Sequence, residues 1–142
     1  MEEISKVMKG SLVEIQCITE FMKLGIEVSI PYGNHARYDF IADYNGKLLK
    51  VQVKAPCKII EGESFSIECR TTHTISKKVV HHNYTEDEID YFATYYNGIC
   101  YLVPIQQCSS QKTLRLVPPA SGRTQGINFA KDYELKEVLK TI

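Results

Sequence analysis

Four residues of this chain have types and spacing suited to chemistry on a phosphate: Glu14, Asp39, Gln52 and Lys54. Asp39 and Lys54 stand near the two ends of one stretch, Arg37 to Lys54, with Asn45-Gly46 in its middle. Asn-Gly is the strongest short-range signal for a two-residue hairpin turn, because both turn positions need φ > 0. Counting outward from that turn sets Tyr44 against Lys47, Ala42 against Leu49, Phe40 against Val51 and Asp39 against Gln52. Opposed residues share a face. Tyr38, Phe40, Ala42, Leu49, Val51 and Val53 therefore make a core face. Asp39, Ile41, Asp43, Leu48, Lys50, Gln52 and Lys54 make the other.

On that second face, opposed Cβ atoms lie about 4.5–5.5 Å apart and diagonal ones about 7–8 Å. A carboxylate, an amide and an ammonium group then come together. A hard divalent cation takes oxygen ligands, which Asp39, the Gln52 carbonyl and a nearby backbone carbonyl can supply. Lys54 beside it can orient or deprotonate a water, or steady charge on a phosphate oxygen. The same residues also fit an ordinary hairpin with a polar outer face and an Asp–Lys diagonal pair.

The element that must bring Glu14 to this face is a helix over about Ile4 to Leu24. Ile4, Met8, Leu12, Ile15, Ile18 and Met22 recur at helical steps and are expected to face inward. Glu14 then falls on the shoulder of the apolar arc, where it either reaches solvent or needs a partner. Gly10 inside the helix costs about 1 kcal/mol relative to Ala, which suggests close packing or close approach of a ligand.

Asp39 followed after twelve residues by Gln52-Val53-Lys54, with Glu14 upstream, resembles the PD-(D/E)xK nuclease superfamily. The wider sequence is most similar to its small group-I-intron homing endonucleases, with archaeal Holliday-junction resolvases as more distant relatives. Lys9-Gly10, Leu24-Gly25 with Val28, Arg37-Tyr38-Asp39, Val51-Gln52-Val53-Lys54, Ile89-Asp90-Tyr91-Phe92-Ala93 and Tyr101-Leu102-Val103-Pro104 carry the resemblance. Two positions depart from the pattern: Gln52 stands where Asp or Glu is usual, and Tyr38 where Pro is usual. The resemblance implies a metal-dependent DNA endonuclease with a restriction-endonuclease-like core. Glu14, Asp39 and the Val53 carbonyl would hold Mg²⁺ (or Mn²⁺). Gln52 would be a neutral ligand or hold water, and Lys54 would assist the attacking water. Products would be 5′-phosphate and 3′-hydroxyl ends. A double-strand break from so small a chain implies a homo-oligomer, dimer or tetramer. A junction resolvase or restriction-type enzyme, on branched or linear DNA, is the enzymatic alternative, and a catalytically degenerate DNA-binding module the non-enzymatic one.

Composition bounds these readings. The 142 residues suit a single domain, 1–142, and 44% hydrophobic with 24% charged residues is ordinary for a globular chain. No apolar run approaches the roughly 18 residues of a membrane helix. The opening residues lack the pattern of a secretory leader, so a cytoplasmic protein is expected. Seventeen basic and seventeen acidic residues argue against nonspecific, charge-driven binding of nucleic acid. Five cysteines without a CxxC pair indicate neither a disulfide framework nor a zinc site, so free thiols are expected.

In the rest of the chain, Glu27 to Ile30 reads as a short strand stopped by Pro31. The loop from Pro31 to Ala36 offers Tyr32, Asn34 and His35 to DNA, followed by Arg37. Ser64 to Cys69 alternates Phe65, Ile67 and Cys69 inward as a strand. Arg70 to Tyr84 shows little periodicity and reads as the longest loop, with Arg70, Lys77 and Lys78 as phosphate donors. Thr85 to Glu88 matches a capping box opening a short helical turn. Asn97-Gly98 closes a second hairpin. Leu114 to Val117 is a further strand, Arg123 lies in a later loop as another DNA contact, and Asp132 caps a closing helix with Leu135, Val138, Leu139 and Ile142 inward. The order predicts an α/β (α+β) fold, a mixed central sheet flanked by helices.

Overall fold

The computed structural model describes residues 3–33 and 35–142; Asn34 lies outside them. Helix α1 (Lys6–Lys23) is followed by β1 (Glu27–Ser29), β2 (Phe40–Tyr44), β3 (Lys47–Val53), β4 (Cys57–Ile60), β5 (Ser64–Glu68), β6 (Arg70–Ile75) and β7 (Lys78–Asn83). Then come β8 (Tyr91–Tyr96), β9 (Ile99–Pro104), β10 (Gln111–Arg115) and a short closing helix α2 (Leu135–Leu139), with 3-10 turns at Ile105–Gln107 and Ala130–Tyr133. The five-stranded sheet runs β1-β2-β3-β8-β9, with β3 and β8 parallel and the other pairs antiparallel. The mixed central sheet is therefore present. Among the described residues no helix is long and apolar enough to cross a membrane.

Both Asn-Gly pairs turn as expected: Asn45 and Gly46, and Asn97 and Gly98, all have positive φ. The ladders place Phe40 against Val51 and Tyr44 against Lys47, and Thr94 against Tyr101. One face of the sheet, with Phe40, Ala42, Val51, Ala93 and Leu102, packs against α1 and α2. The other face of β8 and β9 packs against β5 and β10 through Phe65, Ile67, Phe92, Val103 and Leu114. Tyr38, expected on the first face, packs instead against this second cluster.

Helix α1 starts at Ser5, whose hydroxyl accepts from Met8 N–H at 3.1 Å. Its orientation differs from expectation. Val13, Cys17 and Phe21 are buried, while Met8, Leu12, Ile15 and Met22 are exposed, Ile15 and Met22 to 61%. Only Ile18 of the expected inward set within the helix packs against the core. The helix has two apolar faces, and the sheet receives the narrower one, whose i, i+4 spacing lays Phe21 edge-on against Phe40 with ring centroids 5.2 Å apart. Gly10 is not pressed either, since an added Cβ would meet nothing within 4 Å.

The largest departure lies between Arg70 and Tyr84. Instead of a loop, β6 and β7 form a two-stranded ribbon, Arg70 against Asn83 through Ile75 against Lys78. Ser76 and Lys77 make its turn, both at positive φ. Neither residue advertises that conformation as Asn-Gly does. Smaller corrections follow. The last strand is Gln111–Arg115, ending before Leu116, and β4 was not anticipated. Glu88 Oε1 does accept from Thr85 N–H at 2.9 Å, but the segment is a turn and not a helix. Asp132 lies inside a 3-10 turn, and α2 is preceded by Glu134 with no side-chain cap. Cys69 and Cys108, expected as free thiols, are joined as a disulfide with Cα atoms 6.1 Å apart. Their separation of 39 residues gave no local signal.

Candidate active site

The hairpin register breaks where the chemistry begins. Asp39 lies just outside β2, and its N–H donates to Val51 O at 2.8 Å, although Val51 is the partner of Phe40. Two residues of one strand address one of the other, as at a β-bulge. The expected pairing of Asp39 with Gln52 is therefore replaced. The Asp39 side chain folds over the strand end, and Oδ2 accepts from Val53 N–H at 2.7 Å. Gln52 directs Nε2 to Val53 O at 3.3 Å. Parallel pairing of Val53 with Ala93, and Lys54 N–H donating to Ala93 O at 2.9 Å, fix this end of β3. Asp90, matched by resemblance, is structural: Oδ2 accepts from Lys50 N–H and its own N–H donates to Lys50 O, both at 2.9 Å, which aligns β8 on β3.

Glu14 comes from α1 to the same place, half-buried. Its carboxyl is held above the usual range, first by burial and then by the negative charge of Asp39. Burial also raises Asp39, partly offset by the Val53 N–H bond and the Lys54 charge. Behind them Cys17 is kept a thiol by its contact with Cys100, by burial, and by the charges of Asp39 and Glu14. Two carboxylates that both resist ionising, beside a backbone carbonyl and an amide, form an all-oxygen donor set that a hard divalent cation fits. No third acid, His or Cys joins them among the described residues, as Gln52 in place of an acid requires.

Lys54 is held from the opposite side. Its Nζ donates to Arg70 O at 3.4 Å and lies 5.0 Å from the centre of the Tyr84 ring. Arg37 stacks on the same ring at 4.0 Å, pairs with Glu88 at 3.2 Å and donates to Thr71 Oγ1 at 3.0 Å. Thr71 in turn donates to Tyr84 OH at 3.0 Å. Burial alone would raise the Tyr84 phenol; the Thr71 hydrogen bond and the neighbouring Lys54 and Arg37 cations outweigh it and hold the phenol below its ordinary value. That Thr71, Tyr84 and Glu88 meet Arg37 and Lys54 was not foreseen from sequence, because they lie far from both along the chain. Of the other basic candidates, Arg70 pairs with Glu68 at 2.9 Å beside Lys54. Lys77 and Lys78 stand exposed at the tip of the ribbon. Arg123 lies in the loop after β10 with Nε donating to Gln125 O at 2.9 Å, and no hydrogen bond ties it to the Asp39 cluster among the described residues.

The raised carboxyls set a sign for pH dependence. The folded chain binds more protons here than the unfolded one, so metal-free stability falls as pH rises through the raised range. Protons also compete with a cation for the same oxygens. Cation affinity is therefore expected to weaken on acidification at a pH above the ordinary Asp and Glu values of about 3.9 and 4.3. Calorimetric titration with Ca²⁺ at a series of pH values checks this; an affinity unchanged down to those ordinary values would contradict it.

A mixed sheet with Asp39 at a bulge, Gln52 and Lys54 on the strand beside it and Glu14 on the first helix is the arrangement expected of a PD-(D/E)XK nuclease. The chain belongs to the PD-(D/E)XK endonuclease family, whose match spans residues 4–136. Its structure is similar to that of a bacterial homing endonuclease, I-Ssp6803I, with a TM-score of 0.74 and 25% identity over 97% of this chain and 95% of that one. Among the curated proteins none has a detectably similar sequence.

Proposed function

We propose that this endonuclease is a site-specific, homing-type enzyme that hydrolyses DNA phosphodiester bonds with Mg²⁺, Mn²⁺ substituting. What supports the reading is that the charges of Glu14 and Asp39, and of Asp39 and Lys54, act on one another, on a fold similar along nearly its whole length to a homing endonuclease. Glu14, Asp39 and the Val53 carbonyl would hold the cation, with Gln52 as a neutral neighbour. When bound, the cation polarises the phosphate and offsets charge that develops on it. Asp39 is fixed for that role by the Val53 N–H bond. Lys54, clamped between Arg70 O and the Tyr84 ring, presents its ammonium group to the attacking water or a phosphate oxygen. Arg37, Arg70, Lys77, Lys78 and Arg123 supply positive charge to the backbone.

One such centre serves one strand, so a double-strand break needs at least two subunits. The outward arc of α1 supports a second copy. Val7, Met8, Ser11, Leu12, Ile15, Thr19 and Met22 cover about 140° at 100° per residue without a charge, and all are exposed. Contiguous apolar surface of this kind marks an interaction site.

The test is cleavage of supercoiled plasmid and of a four-way junction in Mg²⁺. Lys54→Ala is expected to slow cutting on the order of 100-fold while DNA is still bound. Preference for the junction would replace the homing reading with a resolvase. DNA binding without metal-dependent cutting of any substrate would leave only a binding module.

A further inference from the structure

The β6–β7 ribbon contributes no residue between Arg70 and Asn83 to either buried cluster. Thr72 to Val79 is exposed on both faces. An isolated two-stranded hairpin is marginal in water, yet this one is fastened firmly at its root. The Cys69–Cys108 disulfide immediately precedes it. Glu68 holds Arg70, Arg37 and Tyr84 hold Thr71, and Lys54 bonds to Arg70 O. It is a projection anchored at its root, where Arg70 O accepts from Lys54.

Its two faces differ. One carries Thr72 against His81 and Thr74 against Val79, and Thr72 Oγ1 already meets His81 Nδ1 at 3.0 Å. The other begins at Thr71, inside the candidate centre, and runs outward through His82, His73, Val80 and Ile75 to Lys78. His73 and His82 lie edge to face with ring centroids 5.5 Å apart. Neither makes a side-chain hydrogen bond within the protein among the described residues, so their ring nitrogens are available. From Arg70 to Thr85 the chain has three cations and no acid.

We infer that the β6–β7 ribbon enters the major groove of duplex DNA and reads bases with His73, His82 and Lys78, beside the phosphate held at Asp39 and Lys54. The inference rests on the nuclease reading and adds the element that chooses the site. A two-stranded ribbon fits a major groove about 12 Å wide, and Lys and other hydrogen-bonding side chains can read base edges there. The charge of the segment suits the phosphates that line the groove. This face, and not the opposite one, presents two histidines with ring nitrogens free among the described residues, since His81 on the other side is already bonded to Thr72.

The experiment is selection from duplexes with a randomised centre, using the full chain in Ca²⁺ and sequencing what is bound. The wild-type chain is expected to converge on a motif. His73→Ala with His82→Ala should erase preference at neighbouring base pairs and weaken binding to the selected duplex about 10-fold or more, with an unchanged unfolding temperature. Thr72→Ala with His81→Ala, on the other face, should recover the wild-type motif. A random wild-type pool, an unaltered motif in the His73/His82 variant, or tighter binding to RNA of the same sequence would each overturn the inference. The selected duplex is then offered in Mg²⁺. If it is bound but never cut, the nuclease reading falls and the groove reading stands.

Discussion

Asp39→Asn is expected to lower DNA cleavage about 1000-fold or more while making the metal-free protein no less stable. A carboxylate that positions a cation on a phosphate contributes several kcal/mol to the transition state, at about 1.4 kcal/mol per tenfold in rate. The neutral amide keeps an oxygen able to accept from Val53 N–H, now at 2.7 Å from Asp39 Oδ2. It also removes a carboxyl that burial already holds above its ordinary range. Ionising that carboxyl at neutral pH costs folding free energy, so the variant should unfold at an equal or higher temperature in chelator, and the gap should widen as pH rises. It should lose the upward shift that Mg²⁺ confers on the wild type. Plasmid nicking rates and thermal unfolding with and without Mg²⁺ measure both parts. A variant that still responds to Mg²⁺ would remove Asp39 from the site.

The second large effect concerns the helix that delivers Glu14. Phe21→Ala should destabilise the fold by about 3–5 kcal/mol, the usual cost of emptying a buried aromatic site. That is much of the roughly 5–15 kcal/mol that a domain commands. Phe21 is fully buried and meets Phe40, the neighbour of Asp39, so its loss loosens Glu14 and Asp39 together. Ile15→Ala and Met22→Ala, on the exposed side of the same helix, should stay within about 0.5 kcal/mol in dilute protein. Denaturant unfolding of the three variants tests the orientation of α1. Equal losses at Ile15 and Phe21 would mean that the helix buries the other face.

That comparison marks where sequence reasoning reached its limit. The period of α1 was readable, its direction was not: Val13, Cys17 and Phe21 form one apolar stripe and Met8, Leu12, Ile15 and Met22 a broader one, and only the sheet decides which is covered. Both Asn-Gly turns were readable because those residues tolerate positive φ, and the first fixed the pairing from Tyr44 with Lys47 out to Phe40 with Val51. The Ser76-Lys77 turn adopts the same conformation without such residues, so a regular ribbon read as a loop. Counting from Asn45-Gly46 brought Asp39, Gln52 and Lys54 to one strand end, but a period-2 ladder cannot foresee the bulge that turns Asp39 onto Val53. The meeting of Tyr84, Thr71 and Glu88 with Lys54 and Arg37 was beyond reach, since only tertiary folding brings them together.

The detachment of β6 and β7 from both cores also bears on how this lineage can change. Substitutions at exposed positions outside such cores usually alter stability by no more than about 0.5 kcal/mol. Thr72 to Val79 can thus drift under mutation at little risk to the fold, while Asp39, Phe40 and Val53 are bound by the buried hairpin around them. The projecting segment and the hairpin around Asp39 are therefore under separate structural constraints, so that, on the groove reading proposed for the ribbon, its bases of choice could change without disturbing the buried hairpin.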